Sequence, residues 1–348
     1  MNSLDLLQTK PGTALVLSGG ATKAFFFHLG VLKALPMTDI TSIVGSSAGA
    51  IAGALLASGI SPDRIMQGIE DGKVYIPEFD RWISTLRSTM LFRPRYPGIL
   101  RQSAYTTYES LKFFASLPLL FGRDVVAEFM DILVNSQSKV SSFFSARALE
   151  DLVQSLLPSM DFRDLETDLY VIATDINNNR RAIFNPHVDG LDEDNHFMSD
   201  VPLQRAVRAS ASLPGLFEPV KIKDHYYVDG EIKRTLSADI GMRLADRVIV
   251  SHTYQPLHLP EGRSISDKGW WNIVQQSVYI VFQERIRVWE RLYREQYPEK
   301  TLICVQPDPE DEAFFAAPQF TFRREVHQAL IQSGEAAARR ALAAANAE

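Results

Sequence analysis

The chain has 348 residues, 46% of them hydrophobic and 22% charged, enough apolar side chains for a sizeable core and wrong for a disordered chain. Asp and Glu outnumber Lys and Arg by 42 to 36, a net charge of −6, which argues against nucleic acid as the main partner because phosphate binding needs a positive field. The one cysteine, Cys304, excludes an intrachain disulfide and a cysteine-rich metal site.

In chain order, residues 1–10 lack the basic and apolar regions of a signal peptide. No window reaches the roughly 18 uninterrupted apolar residues of a spanning helix, so the expectation is a cytoplasmic protein, soluble or peripheral to a membrane. Residues 13–18 read as a buried strand, followed by Gly19-Gly20 and a helical pattern over 23–35. A second strand over 40–46 enters a small-residue helix over 48–57, which Gly59 ends. Two strand–glycine turn–helix units predict a parallel sheet covered by helices.

Residues 61–145 break that rhythm with Pro77, Pro94, Pro97 and Pro118 and with apolar clusters, and are read as helices and loops over the sheet. Residues 168–175 form another strand, with 181–184 pairing beside it. A short helix over 203–212 closes at Pro214-Gly215, and 220–228 reads as a hairpin broken at Lys223-Asp224. Strands over 247–252 and 301–305 and long helical patterns over 268–297 and 322–345 complete the chain. The economical reading is one α/β domain over 1–348, with a helical insertion over about 61–160 and a C-terminal helical extension over about 265–348.

Three segments carry chemistry. Gly45-Ser46-Ser47-Ala48-Gly49 fits Gly-x-Ser-x-Gly, with a strand leading in and a helix leading out. So tight a turn needs small flanking residues, here Gly45 and Gly49, and it lifts the Ser47 hydroxyl to a helix N-terminus where free amides favour developing negative charge. The bland alternative is that Ser47 only caps that helix. Ser18-Gly19-Gly20-Ala21-Thr22-Lys23 is a glycine pair between strand and helix, able to turn amides toward an oxyanion or simply to make a sharp bend. Asp229-Gly230 ends a strand, and on its own is an ordinary turn pair.

Taken together and in their order along the chain, the three segments resemble the patatin-like phospholipase family. The stretch 206–217, Ala-Val-Arg-Ala-Ser-Ala-Ser-Leu-Pro-Gly-Leu-Phe, resembles the family block that precedes its aspartate. The resemblance implies a patatin-like three-layer α/β/α fold with a mostly parallel central sheet and a helical cap. It implies Ser47 as nucleophile, Asp229 as base, and oxyanion donors at Gly19, Gly20 and Ala21. The activity implied is hydrolysis of phospholipid or other acyl esters through an acyl-enzyme, with no cofactor and no metal. Departures from the family pattern are Ala21 for the third glycine, Ala24 for the last, and Asp229-Gly230-Glu231 where Asp-Gly-Gly is commoner.

Alternatives stay open at this level. His252 follows a strand and comes after Asp229, so a Ser–His–Asp triad is compatible with chain order. The altered glycine loop is compatible with a lipid-binding or regulatory protein that has lost turnover, and acyl transfer to another alcohol would use the same residues. Phe92, Phe113, Phe114, Leu119, Leu120 and Phe121 would line an acyl trough, contact lipid or pack the insertion. Arg87, Arg93, Arg95 and Arg101 would meet anionic lipid. The Trp270-Trp271 helix suits core packing, a homodimer face or a membrane surface. The acidic runs 192–196 and 308–312 lack metal-site spacing and read as solvated loops.

Overall fold

A computed structural model describes residues 3–71, 73–76, 81–84, 142–144, 150–151, 153–154, 157, 159–259, 261–321 and 323–347. Most of the expected insertion, including its Phe, Leu and Arg residues named above, lies outside the described residues, as do the side chains of Trp270 and Trp271.

The strands are β1 (Lys10–Leu17), β2 (Ile40–Ser46), β3 (Lys73–Ile76), β4 (Arg81–Ser84), β5 (Ser142–Phe144), β6 (Asp168–Asp175), β7 (Arg180–Phe184), β8 (Gly190–Leu191), β9 (Asn195–Met198), β10 (Gly215–Phe217), β11 (Val220–Ile222), β12 (His225–Asp229), β13 (Ala245–Ser251) and β14 (Thr301–Val305). The helices are α1 (Ala21–Ala34), α2 (Ala48–Ala57), α3 (Pro62–Asp71), α4 (Leu203–Ser210), α5 (Ala238–Leu244), α6 (Trp270–Gln296), α7 (Glu312–Ala316) and α8 (Arg324–Ala345).

The main sheet runs β14-β13-β1-β2-β6-β7-β9-β8. Its first five strands are all parallel. The second half of β1, residues 14–17, reads as an unbroken apolar run because it lies between β13 and β2 with helices over both faces. Alternate residues sort into two cores. Leu15, Leu17, Ile43 and Ile249 face α1, α2, α4 and α8. Ala14, Val16, Val44, Val248 and Val250 face α5, α6 and Tyr254. The result is the expected three-layer α/β/α arrangement around a mostly parallel sheet.

One edge of β6 is shared by two strands. β2 pairs with it in parallel as far as Ser46 opposite Ile172. β12 takes over in the opposite direction, with Asp229 opposite Ala173 and Tyr227 opposite Asp175. The ends of β2 and β12 therefore meet head-on at adjacent positions of β6.

α1 and α8 cross in close contact at two glycines. A Cβ on Gly30 would fall 1.9 Å from the Ile331 carbonyl oxygen, and one on Gly334 would fall 2.0 Å from the Phe27 carbonyl oxygen. No side chain fits either position, so the two backbones are held together by the absence of one. Phe26 stacks on His327 beside the crossing, ring centroids 3.7 Å apart.

α6 packs by one side only. Ile286 and Tyr293 are buried and Phe282 and Trp289 pack against the same core. Val274, Val278, Val281, Val288 and Leu292 are exposed on the other side. Among the described residues, no helix is long and apolar enough to cross a membrane.

Candidate active site

Ser47 occupies the turn between β2 and α2 with φ +53° and ψ −117°. A non-glycine residue there carries about 1–3 kcal/mol of backbone strain, which persists only where the surroundings over-determine it. The surroundings do so. A Cβ on Gly49 would fall 2.2 Å from the Leu17 carbonyl oxygen, and one on Gly45 would fall 2.7 Å from Ala50 Cα. The Gly49 N–H donates to the Ser18 carbonyl at 3.1 Å, which seats the start of α2 on the end of β1. The Ser47 N–H donates to Ser210 Oγ at 2.8 Å. The Ser47 hydroxyl makes no cap bond to α2, so the helix-cap alternative does not describe it.

The hydroxyl instead lies beside the Asp229 carboxylate, where it favours the ionised form. This contact follows from the shared edge of β6, which brings the residue after β2 and the last residue of β12 to the same place. Asp229 is only 4% exposed. Its N–H donates to the Ser212 carbonyl at 3.0 Å and its carbonyl accepts from Thr174 Oγ1 at 2.9 Å. Its Oδ1 accepts the Glu231 N–H at 3.0 Å. Burial pushes the Asp229 carboxyl up to about 6, and the nearby Ser47 hydroxyl and the Glu231 N–H hold it from rising further. The intervening Gly230 has no room for a side chain, since a Cβ would lie 2.4 Å from the Ile172 carbonyl oxygen.

The glycine loop lies on the other side of Ser47. Gly20 adopts φ +132° and Ala21 φ +58°. The substitution of alanine for the family's third glycine therefore falls at a left-handed position, which costs a side-chain-bearing residue about 1–2 kcal/mol. The N–H groups of Gly20 and Ala21 have no acceptor among the described residues. Gly19 departs from the expectation of a free donor: its N–H donates to Glu231 Oε1 at 3.0 Å. A Cβ on Gly19 would sit 2.9 Å from Glu231 Cγ and 3.1 Å from Ser47 Cβ, so the loop threads between those two side chains.

Of the other residues in this region, Ser210, Tyr254 and His28 carry no signal of a role on their own in the sequence, and Lys23 stands there as the basic end of the glycine-loop segment. Glu231 was visible only as a departure from Asp-Gly-Gly, and Ser210 only as one letter of the 206–217 block. His28 links Ser18 to β13, with Nε2 2.9 Å from the Ser18 carbonyl and Nδ1 2.8 Å from Ser251 Oγ. Burial lowers it to about 4, so it is neutral. Lys23 is buried, its Nζ 4.0 Å from the centroid of Phe314, and burial lowers it to about 7. His252 does not join Ser47 or Asp229. Its Nδ1 accepts the Tyr254 N–H at 3.4 Å, its Nε2 has no partner among the described residues, and burial drops it to about 3.

Among the described residues, no group of three or more His, Cys, Asp or Glu side chains is placed to hold a metal ion. The acidic runs are engaged in local structure rather than simply solvated. Asp192 accepts the Ser3 and Asn195 N–H groups, both at 2.7 Å. Asp311 caps α7 by accepting the Phe314 N–H at 2.9 Å.

Residues 15–241 match the family model for patatin-like phospholipases. No curated protein matches the sequence. Among solved structures, the chain is similar to VipD from Legionella pneumophila, with a TM-score of 0.41 and 14% identity over 97% of this chain and 68% of that one. It is also similar to ExoU of the type III secretion system of Pseudomonas aeruginosa, in its heterodimeric complex with SpcU, with a TM-score of 0.38 and 17% identity over 98% of this chain and 53% of that one. The chain thus spans about half the length of ExoU.

Proposed function

The chain belongs to the patatin-like phospholipase family, and from that premise we propose that it is a lipid acyl hydrolase working through a Ser47–Asp229 dyad. The observation that carries this reading is the Ser47 hydroxyl set beside a buried Asp229 carboxylate.

Asp229 removes the hydroxyl proton as Ser47 Oγ attacks the carbonyl carbon of an acyl ester. The carbonyl π bond opens to an oxyanion, which the unengaged amides of Gly20 and Ala21 stabilise. The tetrahedral intermediate collapses, the ester C–O bond breaks, and Asp229 returns its proton to the departing alcohol. Water then attacks the acyl-Ser47 ester, giving up a proton to Asp229, and the carboxylic acid leaves as Ser47 recovers its hydrogen. An exposed aspartate near 3.9 is a weak base for this work, whereas a carboxyl near 6 is a better one that is still ionised at neutral pH.

Phospholipid is the proposed substrate class, met at a lipid surface. A second reading, a lipid-binding protein with little turnover, draws support from Gly19, whose N–H is engaged by Glu231.

The test is hydrolysis of a lipid panel and labelling by a fluorophosphonate, on the wild type beside Ser47→Ala and Asp229→Ala. The dyad predicts labelling of the wild type, none of Ser47→Ala, and loss of turnover in both variants. Activity that persists in Ser47→Ala removes Ser47 as nucleophile. Labelling without turnover on any lipid favours the second reading.

A further inference from the structure

We propose that Glu231 is a positioning residue that fixes the glycine loop against the dyad. This inference rests on the dyad reading above and deepens it.

One buried carboxylate joins four segments. Its Oε1 accepts the Gly19 N–H from the β1–α1 loop and its Oε2 accepts the Leu236 N–H, both at 3.0 Å. The Ser46 hydroxyl, one residue before the nucleophile, lies beside it as well. So does the hydroxyl of Tyr254, just beyond β13. Tyr254 is itself braced by α6, its ring centroid 4.8 Å from that of Phe282. Glu231 is 5% exposed, and no Lys, Arg or His pairs with it among the described residues.

This donor set suits a carboxylate. Two backbone N–H groups approach separate oxygens, and each oxygen has a further lone pair for a hydroxyl. A glutamine in the same place would turn its NH2 toward one of the two amides and leave that amide without an acceptor, a costly state in a buried site. Three consequences follow. Gly19 is held, so the N–H groups left for an oxyanion are those of Gly20 and Ala21. The loop is pressed onto Ser47, since Gly19 lies between Glu231 Cγ and Ser47 Cβ. The nearby Asp229 acts on Glu231 in turn, so that of the two acids Glu231 takes up its proton first. The titratable groups acting here are Asp229 on the same segment and Tyr254 from the exit of β13. The β1–α1 loop and β2 contribute an amide and a hydroxyl. Burial and the nearby Asp229 push the Glu231 carboxyl itself up to about 7, so the two acids titrate as a pair.

The experiment compares wild type, Ser47→Ala, Glu231→Gln and Glu231→Asp in kcat, KM, the pH profile of kcat/KM, and amide hydrogen exchange over residues 17–24, with a melting curve for each. Glu231→Gln removes the charge and one acceptor. It is expected to lower kcat by about 10–100-fold with KM within about twofold and to speed exchange in the loop. Glu231→Asp keeps the charge but is too short to reach both amides. It is expected to lower kcat and speed exchange while the acid limb stays near the wild-type position. The acid limb is expected to stay near the wild-type position in Glu231→Gln too, because Glu231 takes up its proton before Asp229 does. Unchanged kcat and unchanged loop exchange in both overturn the whole. Should Glu231→Gln fail to fold, loop exchange and kcat in Glu231→Asp decide it. Ser47→Ala separates the two levels: activity surviving there overturns the dyad and this inference together, whereas an inactive Ser47→Ala beside an unaltered Glu231→Gln overturns this inference alone.

Discussion

Replacing Asp229 by Asn tests whether the proposed base is held at a cost to folding. Burial carries its carboxyl from 3.8 to about 6. At about 1.4 kcal/mol per pH unit, that difference amounts to about 3 kcal/mol. The folded chain binds this proton more tightly than the unfolded chain does. Below about pH 4 the carboxyl is protonated in both states and contributes nothing against folding. As pH rises through about 6 the folded state is forced to carry a buried charge, and stability falls. Asparagine cannot ionise and escapes that fall. The stability of Asp229→Asn relative to wild type, measured by urea unfolding at pH 4, 5, 6 and 7.5, should therefore grow by about 3 kcal/mol across the series. Removing the charge also relieves Glu231, which adds in the same direction. Over the same series, wild-type kcat/KM should fall below about pH 6 as the base is protonated, and Asp229→Asn should lose about 10²–10⁴-fold in activity. A stability difference that stays flat with pH would refute the burial argument, whatever the activity does.

Ala21→Gly should stabilise the chain by about 0.5–1 kcal/mol, the left-handed penalty of about 1–2 kcal/mol less the extra unfolded-state freedom of glycine. Denaturant unfolding checks it, and a loss of stability would show that Ala21 is not strained. Asp239→Asn should cost about 3–5 kcal/mol, because it strips the buried Arg181 of a partner that accepts two of its N–H groups at 2.7 and 2.9 Å. A cost under about 1 kcal/mol in urea unfolding would mean that water or Asn195 compensates the guanidinium.

How much of the site could be read from sequence depends on the range of each constraint. The turn at Ser47 is a short-range problem. Its crowding against Leu17 and Ala50 leaves glycines within two residues of the serine, and those are legible. Asp229 is not legible in that way, because Asp-Gly serves any turn; it was found through the resemblance and the order of the blocks. The physical reason that it meets Ser47 is a register on β6, where Ser46 and Asp229 oppose consecutive residues 172 and 173. No local pattern encodes that. Glu231 could be seen to be unusual, but its partner Gly19 lies 212 residues away. The periodicity over 268–297 gave a helix correctly. It did not say which side packs, since Val278 and Phe282 are equally apolar on paper and only the latter meets the core.

The mutual notch at Gly30 and Gly334 bears on where this protein can be cut. The family match stops at residue 241, ahead of β13, β14 and α8. Yet β13 is the neighbour that keeps β1 from being an open border of the sheet, and α8 is the backing plate of the helix that begins at Ala21. A shortened chain ending at 241 would present a bare apolar strand ready to aggregate and a glycine loop with nothing behind it. The limits of ancestry and the limits of mechanical integrity fall in different places along this polypeptide.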